Sequence, residues 1–502
     1  MTAIEQAFQH ARRIALVDAT KAVVSWDEQT KMPTAAGAYR AEQLTFLSGL
    51  KHQKETDAAY GELLAKASEE VEALDPKSDE VASVRWLRRD FERATKLPQS
   101  LVEALTKNSV TGQQAWIEAR KQDRFEMLQP FLERTIELKR EYAEAVGYGE
   151  CMYDALLDEF EPGERTGRVR DVFRALRDGL VPLLQAIVGS DKQPRTDVLK
   201  ARYAIDKQRE IGMLAASRFG FDFEHGRLDI TTHPFCTTLG PKDVRLTTRY
   251  DEDFFSSAFF GTIHEAGHGM YEQGLRDDWY GLPPGRACSM AIHESQSRLW
   301  ENSVARSRAF WNHFFPEVRE RFSDSVKECD ADGFYRAVNA VQPSLIRVEA
   351  DEVTYNLHII IRFELEQAMI DGELAVADLP EAWNEKYRDF LGIEPPNNSD
   401  GVLQDIHWSI GYLGYFPTYA LGNLYAAQFL EQADADLGGL DAQFERGKFD
   451  PLKDWLHKKI HTRGQCVTAA DLVQEVAGQP LSEQPLLRGL QAKYSDLYGI
   501  TV

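Results

Sequence analysis

The chain has 502 residues, of which 43% are hydrophobic and 27% charged, so it can bury a large core and falls in the globular class. Its 80 acidic and 58 basic residues give a net charge of −22, which repels phosphate backbones and anionic lipids and argues against nucleic-acid and membrane partners. The five cysteines are scattered and odd in number, and no uncharged run of signal-peptide length opens the chain, so we expect a reducing, cytoplasmic location.

Amphipathic helices are predicted for most of the chain, because apolar residues return every three or four positions with Ala, Leu, Glu, Lys and Arg between them. The clearest predicted helices cover residues 3–25, 38–52, 100–122, 126–145, 166–188, 301–329, 376–391 and 484–498. Clusters of proline and glycine predict loops near residues 160–163, 281–285 and 394–401. Neither an internal repeat nor a low-complexity linker divides the sequence.

Residues 227–250 depart from the helical pattern. They are rich in Thr, Val and Leu, alternate with a period of two at Val244, Leu246 and Thr248, and contain the turn signal Leu-Gly-Pro-Lys-Asp. We therefore predict a short antiparallel hairpin that forms a wall beside the strong helix predicted for residues 254–274.

That helix carries the pattern H-E-x-x-H. On a helix, residues four apart lie on one face, so the imidazoles of His264 and His268 can point at one cation while Glu265 reaches a water molecule beside it. Gly267 and Gly269 lower the helix propensity, and we expect them to allow close packing against a neighbour. The alternative interpretation is a helix with two surface or hydrogen-bonded histidines.

A catalytic zinc ion needs a third protein ligand and one open position. Glu294 lies in a second predicted helix, and its apolar neighbours Ile292, Leu299 and Trp300 indicate that it is buried, where a carboxylate requires a cation. Glu294 is therefore the predicted third ligand, with His293 as the alternative.

Seven sequence blocks follow one another in an order that resembles the carboxypeptidase Taq family of metallocarboxypeptidases nearly from end to end. Besides H-E-x-x-H, they are Trp26 to Pro33 with Arg40 and Gln43; His233-Pro234-Phe235; Asp243, Arg245 and Thr247; His293 to Gln296; Ile346, Arg347, Ala350 and Asp351; and Gly401, Gln404, Asp405, His407 and Trp408. No position at which the family carries chemistry departs from its pattern.

The resemblance implies a mainly α-helical fold of the groove type, similar to neurolysin and angiotensin-converting enzyme. Residues 1–502 would form a single catalytic domain, with two helical halves flanking the groove, and the protein would usually be a homodimer. The implied activity removes single residues from peptides with a free C-terminus, with broad specificity except for C-terminal proline. The implied cofactor is one zinc ion per chain, with cobalt as an alternative.

Several catalytic roles are expected. The H-E-x-x-H motif itself makes Glu265 the expected general base. His407, Tyr415 and Tyr419 resemble the His and Tyr elements with which related groove peptidases stabilise the oxyanion, although these tyrosines could instead form an aromatic core stripe. Tyr419 could also bind the substrate carboxylate.

Recognition of a free α-carboxylate in so acidic a protein requires a local cation, and the planar fork of arginine suits this task. Arg347 is the leading candidate and Arg245 the second, while His233 is expected to line the pocket. The alternative for Arg347 is an internal salt bridge, for instance with Asp351 one helical turn further on.

Carboxylates that are not themselves ligands are expected to orient the metal histidines by bonding to their other ring nitrogen. Asp351, Glu352 and Asp405 are the candidates. Two rival functions remain open. One is an endo-acting oligopeptidase with the same zinc site, which would also cut peptides that lack a free C-terminus. The other is a peptide-binding scaffold with a vestigial metal site, against which the intact motif residues argue.

Overall fold

The computed structural model describes residues 1–501 and is mainly helical, as predicted. Its α-helices and β-strands, in chain order, are α1 (Ala3–Thr30), α2 (Gly37–Glu55), α3 (Ala58–Glu70), α4 (Asp79–Lys96), α5 (Gln99–Gln122), α6 (Gln129–Val146), α7 (Met152–Phe160), α8 (Thr166–Val188), α9 (Ile205–Phe219), β1 (Gly226–Ile230), β2 (Cys236–Gly240), β3 (Asp243–Thr248), α10 (Phe255–Gly274), α11 (Met290–Arg298), α12 (Arg308–Arg321), α13 (Ala331–Val338), α14 (Thr354–Asp371), α15 (Leu379–Leu391), α16 (Pro417–Leu437), α17 (Asp441–Phe444), α18 (Asp450–Lys459), α19 (Ala469–Ala477) and α20 (Gln484–Tyr498). Within this part of the chain, none of the helices combines the length and the apolar character that crossing a bilayer requires.

The helix predicted for residues 301–329 is wrong as a single element. The structure has a π-helical turn at Leu299–Val304, and α12 begins only after Ser307, whose side-chain oxygen accepts a hydrogen bond from the backbone amide of Phe310. This cap ends the preceding turn and starts a new helix. The apolar spacing continues across the break, which is why periodicity alone does not reveal it.

The strands form a three-stranded mixed sheet rather than a simple hairpin. β2 and β3 pair in antiparallel fashion, as predicted for the second half of residues 227–250. β1 pairs in parallel with the other edge of β3, which gives the strand order β1-β3-β2, so the purely antiparallel prediction is wrong for β1. The connection from β1 to β2 therefore crosses β3, an outcome that local alternation cannot specify.

Two compact units make up the chain, and each is assembled from three segments that alternate along the sequence. The first unit comprises Met1–Thr95, Arg195–Val338 and Phe429–Gln479, and the second comprises Lys96–Pro194, Asn339–Gln428 and Pro480–Val502. Each has a core of its own.

Clusters of contacting aromatic side chains lie in both cores. In the first unit, Phe255 and Phe259 of α10 contact Trp311 of α12, and all three are almost inaccessible to solvent. In the second, Phe363 of α14 contacts Phe173 of α8 and Tyr153 of α7. Because burying one such side chain contributes about 1.5–3 kcal/mol, these clusters fix the positions of α10 and α14, the two helices on which the candidate sites depend.

Candidate metal centre and substrate-binding residues

Two neighbours pack closely against helix α10 along the H-E-x-x-H motif. A Cβ atom added to Gly267 would lie 2.5 Å from the Cα of Ser297 on α11, so a larger residue would force the two helices apart. A Cβ atom added to Gly269 would lie 2.8 Å from the side chain of Leu246 on β3. The close packing predicted for both glycines is confirmed, and it brings α11 alongside the motif.

Three predicted metal ligands converge between α10 and α11. One ligand atom from each of His264, His268 and Glu294 lies within 4.8 Å of the other two. The Oε2 atom of Glu294 lies 3.4 Å from Nε2 of His268 and 3.8 Å from Nε2 of His264. Two imidazole nitrogens and a buried carboxylate are a donor set typical of catalytic zinc, although binding of a metal by these residues stays a prediction.

Both histidines are held with Nε2 towards this cluster. Nδ1 of His264 lies 2.9 Å from a carboxylate oxygen of Glu301, and Nδ1 of His268 lies 3.1 Å from the backbone carbonyl of His293. Because both partners are acceptors, we assign the proton of each neutral ring to Nδ1, which leaves the Nε2 lone pair available to a cation. The residues of the cluster therefore fit a divalent metal.

Glu301, the residue behind His264, is not part of any of the sequence motifs described above. It lies on the π-helical turn, seven residues after Glu294, and its carboxylate also accepts hydrogen bonds from Arg298 and Arg306 at 3.5 and 3.2 Å. Burial raises the pKa of Glu301, but the bond to His264 and these arginines outweigh it and lower the pKa to about 2. The signal that could have revealed Glu301 is its spacing of two helical turns from Glu294.

Arg298 also fixes the orientation of Glu294. Its Nε atom lies 2.6 Å from Oε1 of Glu294, so that oxygen is occupied and Oε2 faces the histidines. Burial opposes ionisation, but Arg298 and the histidines hold the pKa of Glu294 well below its ordinary range. Burial also lowers the pKa of His264, yet the facing carboxylates raise it overall, so a proton and a cation compete for this ring.

The expectation that Asp351, Glu352 or Asp405 orients the metal histidines is wrong, because Nδ1 of His264 faces Glu301 and Nδ1 of His268 faces the backbone carbonyl of His293. Asp351 accepts hydrogen bonds from backbone amides at the start of α14, and Glu352 accepts one from Tyr494. Asp405 pairs with two arginines. Glu301 and a backbone carbonyl take the orienting role instead.

Glu265, the predicted base, is 6% exposed, and burial raises its pKa to about 7, although His264 opposes the shift. A pKa near neutrality suits a group that must accept and return a proton. His293, the alternative third ligand, is engaged elsewhere: its Nε2 lies 2.9 Å from Glu272, and its ring stacks on His268 at 4.4 Å. It is not part of the convergent cluster.

The two substrate-binding candidates from the strand region also belong to the first unit. Arg245 on β3 pairs with Asp243 at 2.9 Å and lies over the ring of Trp26 at 4.2 Å. His233 is exposed in the segment between β1 and β2. Arg245 thus already has a carboxylate partner, whereas His233 is accessible to a ligand.

Arg347 lies in a buried charge cluster of the second unit, which we call the arginine cluster (Arg347, Arg362 and Asp405). Arg347 is 5% exposed and Arg362 is fully buried, and both bond to the carboxylate of Asp405, at 2.8 Å and 2.6 Å. An internal salt bridge of Arg347 was the open alternative, and it does form, with Asp405 rather than Asp351. Because two guanidinium groups share one carboxylate, the cluster has one positive charge in excess.

The predicted oxyanion donors also belong to the second unit, where their rings contact one another in turn. His407 lies against Tyr415 with ring centroids 5.5 Å apart, and Tyr415 meets Tyr419 edge to face at 5.3 Å. Burial lowers the pKa of His407 to about 4, although Asp405 opposes the shift, so the ring is neutral at physiological pH. All three side chains are partly exposed, which distinguishes them from a closed aromatic core stripe.

A mainly helical fold with an H-E-x-x-H helix, a buried glutamate from the next helix and a carboxylate behind one histidine defines a metallopeptidase. The carboxypeptidase Taq (M32) metallopeptidase model matches residues 6–494, and the chain belongs to this family of metallocarboxypeptidases.

Relatives at the level of sequence and structure cover almost the whole chain. Thermostable carboxypeptidase 1 of Thermus thermophilus is 46% identical over 99% of both chains, and carboxypeptidase 1 of Bacillus subtilis is 39% identical over 98% of both. The crystal structure of the M32 carboxypeptidase from Deinococcus radiodurans superimposes with a TM-score of 0.96 at 40% identity, over 99% of this chain and 100% of that one. A structure of Pyrococcus furiosus carboxypeptidase gives a TM-score of 0.94 at 35% identity, over 98% of this chain and 99% of that one.

Proposed function

We propose that this metallocarboxypeptidase removes single residues from the C-termini of peptides with one zinc ion per chain, held by His264, His268 and Glu294. The observation that carries the proposal is the convergence of one ligand atom from each of these three side chains within 4.8 Å, with an acceptor beside Nδ1 of both imidazoles. Cobalt is the alternative metal, since the same donor set accepts it. When bound, such an ion acts as a Lewis acid towards water and carbonyl groups.

Glu265 takes the proton of the attacking water and returns it to the leaving amine. It directly follows His264 on α10, is almost fully buried, and has a pKa that burial raises to about 7. A neighbouring cation would lower that pKa, which favours the ionised, proton-accepting form at neutral pH.

His407, Tyr415 and Tyr419 donate hydrogen bonds to the oxygen on which negative charge develops. A neutral imidazole and two phenols are suitable donors, and removal of one such donor typically costs about 3 kcal/mol of transition-state stabilisation. Tyr419 is also a candidate for the substrate carboxylate, because the guanidinium of Arg347 lies over its ring at 5.2 Å.

Arg347 binds the free C-terminal carboxylate of the peptide. The excess positive charge of the arginine cluster supports this role, since an added carboxylate would neutralise it. Arg245 is the second candidate, but Asp243 already neutralises its charge. His233 contributes to the lining of the pocket and is exposed, as a ligand contact requires.

We further propose a broad specificity that excludes C-terminal proline. A proline in that position turns the scissile amide into a tertiary amide and fixes its backbone angle, so the bond has a different shape and lacks an N–H group. Residues 1–502 act as a single catalytic domain, and the protein is a cytoplasmic homodimer. Neither nucleic acids nor membranes are its partners. The charge of −22 supports the last of these.

One assay tests the proposal and separates its rivals. A short peptide is offered with a free or an amidated C-terminus, before and after treatment with a chelator, and the metal content is measured by elemental analysis. We expect cleavage of the free peptide only, one residue at a time, with loss of activity on chelation and recovery with zinc. Cleavage of the amidated peptide would indicate an endo-acting oligopeptidase, and absence of any cleavage by metal-loaded protein would indicate a scaffold.

A further inference from the structure

Glu366 on α14 is fully buried, and three neutral donors of the second unit surround its carboxylate. The indole N–H of Trp408 donates to Oε1 at 2.6 Å. The backbone N–H of Gly414 and the hydroxyl of Tyr153 donate to Oε2 at 2.9 and 2.6 Å. Within residues 1–501 Glu366 has no ion pair, so these three hydrogen bonds are its direct polar contacts. Burial raises the pKa of its carboxyl to about 7, and the hydrogen bonds together with the more distant charge of Arg362 oppose that shift.

Two of these donors flank the proposed oxyanion donors in sequence. Trp408 follows His407, and Gly414 precedes Tyr415. One carboxylate therefore accepts hydrogen bonds from both ends of the segment 407–415, from the indole of Trp408 at one end and from the backbone of Gly414 at the other. At those ends the rings of His407 and Tyr415 stack on each other.

The backbone of this segment is also fitted closely to its surroundings. Gly414 has φ +86°, and a Cβ atom there would lie 2.5 Å from the backbone of Leu156 on α7, so glycine alone lets the amide reach Glu366. At the other end, Trp408 is 5% exposed and meets Trp383 edge to face at 5.8 Å. These contacts set the position of the segment 407–415, and Glu366 bonds to both of its ends.

We propose that Glu366 is a positioning residue that holds His407 and Tyr415 in the arrangement needed to stabilise the transition state. The inference rests on the proposed function of these two side chains. An apolar residue could fill the same volume, but it would leave three buried donors without partners. A carboxylate accepts at both oxygens, whereas the glutamine amide must present an N–H group to one of the donors.

The test measures kcat and KM separately for Glu366→Gln on a free peptide. We expect kcat to fall about 10- to 100-fold with KM within about twofold of wild type, because displacement of catalytic groups by about 1 Å costs rate rather than ground-state binding. The matched control is Glu364→Gln on the same helix. Glu364 pairs with Arg177 and Lys386, and we expect its substitution to leave kcat unchanged.

A second arm asks whether Glu366 acts through the proposed donors. Glu366→Gln is added to the double variant His407→Ala/Tyr415→Phe, where it should lower kcat by less than about twofold, because the groups it positions are gone. If the double variant itself retains wild-type kcat, the proposed oxyanion roles are wrong and the inference falls with them. If the double variant is impaired and Glu366→Gln still costs its full factor, only the inference is wrong.

Trp408→Phe provides a measurement should Glu366→Gln not fold. It removes one donor to Glu366 and keeps the aromatic packing, so we expect a several-fold loss of kcat with unchanged KM. Tyr153→Phe removes the donor that lies outside the segment, and we expect it to lower the melting temperature with kcat unchanged. Equal effects of the two variants on kcat, or none from Trp408→Phe, would overturn the positioning role.

Discussion

The candidate metal ligands of the first unit, which we call the metal cluster (His264, His268 and Glu294), are held together in a different way from the arginine cluster of the second unit. His264, His268 and Glu294 come from two successive helices and converge because helical spacing and two glycines place them on facing surfaces. Arg347, Arg362 and Asp405 come from a 3₁₀ turn, a helix and a loop, and a single buried carboxylate holds them together. Ligands placed by helical spacing can be predicted from one sequence motif. Charged groups that pair across long stretches of sequence cannot, and each of them needs its partner to stay buried.

The largest expected effect lies in the metal cluster. Glu265→Gln removes the proton acceptor without touching the three ligands, so we expect full metal content and a fall in kcat of about 10³-fold or more. Elemental analysis and steady-state kinetics on the same preparation measure both quantities. A metal-loaded variant with wild-type turnover would show that Glu265 is not the base.

The corresponding change in the arginine cluster is Arg347→Ala. We expect kcat/KM for free peptides to fall about 10²-fold, since a bidentate, charge-assisted pair with the substrate is lost. Thermal stability should also fall, because Asp405 loses one of its two partners. Arg347→Lys keeps the charge but not the planar fork, so its kcat/KM should lie between those of the wild type and Arg347→Ala. Unchanged kcat/KM for Arg347→Ala would move carboxylate binding to Arg245.

Glu301→Gln asks how far the metal cluster depends on groups outside it. Loss of the carboxylate behind His264 should weaken metal affinity about 10- to 100-fold, measured by competition with a chelator. Glu317→Gln is a matched control, because Glu317 also pairs with two arginines, Arg218 and Arg321, but contacts no metal histidine. Equal affinities of the two variants would mean that the ligands alone set the strength of binding.

The smallest expected effect is a pH dependence beside the arginine cluster. His407 has an ordinary pKa near 6.5 when unfolded and a pKa lowered to about 4 in the folded protein. Between these values the unfolded chain binds more protons, so the free energy of unfolding falls as the pH falls, by at most about 1.4 kcal/mol per pH unit.

Comparison with His407→Gln isolates this contribution from those of other buried histidines. Urea denaturation at several pH values between 4 and 7 should show a shallower loss of stability for the variant. Identical slopes for the two proteins would mean that the folded ring titrates at its ordinary pKa.

Residues with local signals were the easiest to predict. The H-E-x-x-H helix, Glu294 in the following helix and the packing role of Gly267 and Gly269 all follow from short-range spacing. The partner of Arg347 did not, because Asp405 lies 58 residues away and its pairing depends on the path of the chain. Glu301 lies two helical turns after Glu294, but the π-helical turn that carries it leaves no clear mark in the sequence.

By itself the sequence determined the helical class of this protein, its family, and the chemical identity of the proposed metal and catalytic groups. Helical periodicity and motif spacing are properties of neighbouring residues and need no knowledge of the rest of the chain. Only the tertiary structure decided which carboxylate stands behind each histidine, which acid neutralises Arg347, how β1 joins the sheet, and that Glu366 joins the two ends of the segment 407–415. Each of these depends on burial, where a polar group must find a partner wherever the fold brings one within hydrogen-bonding distance.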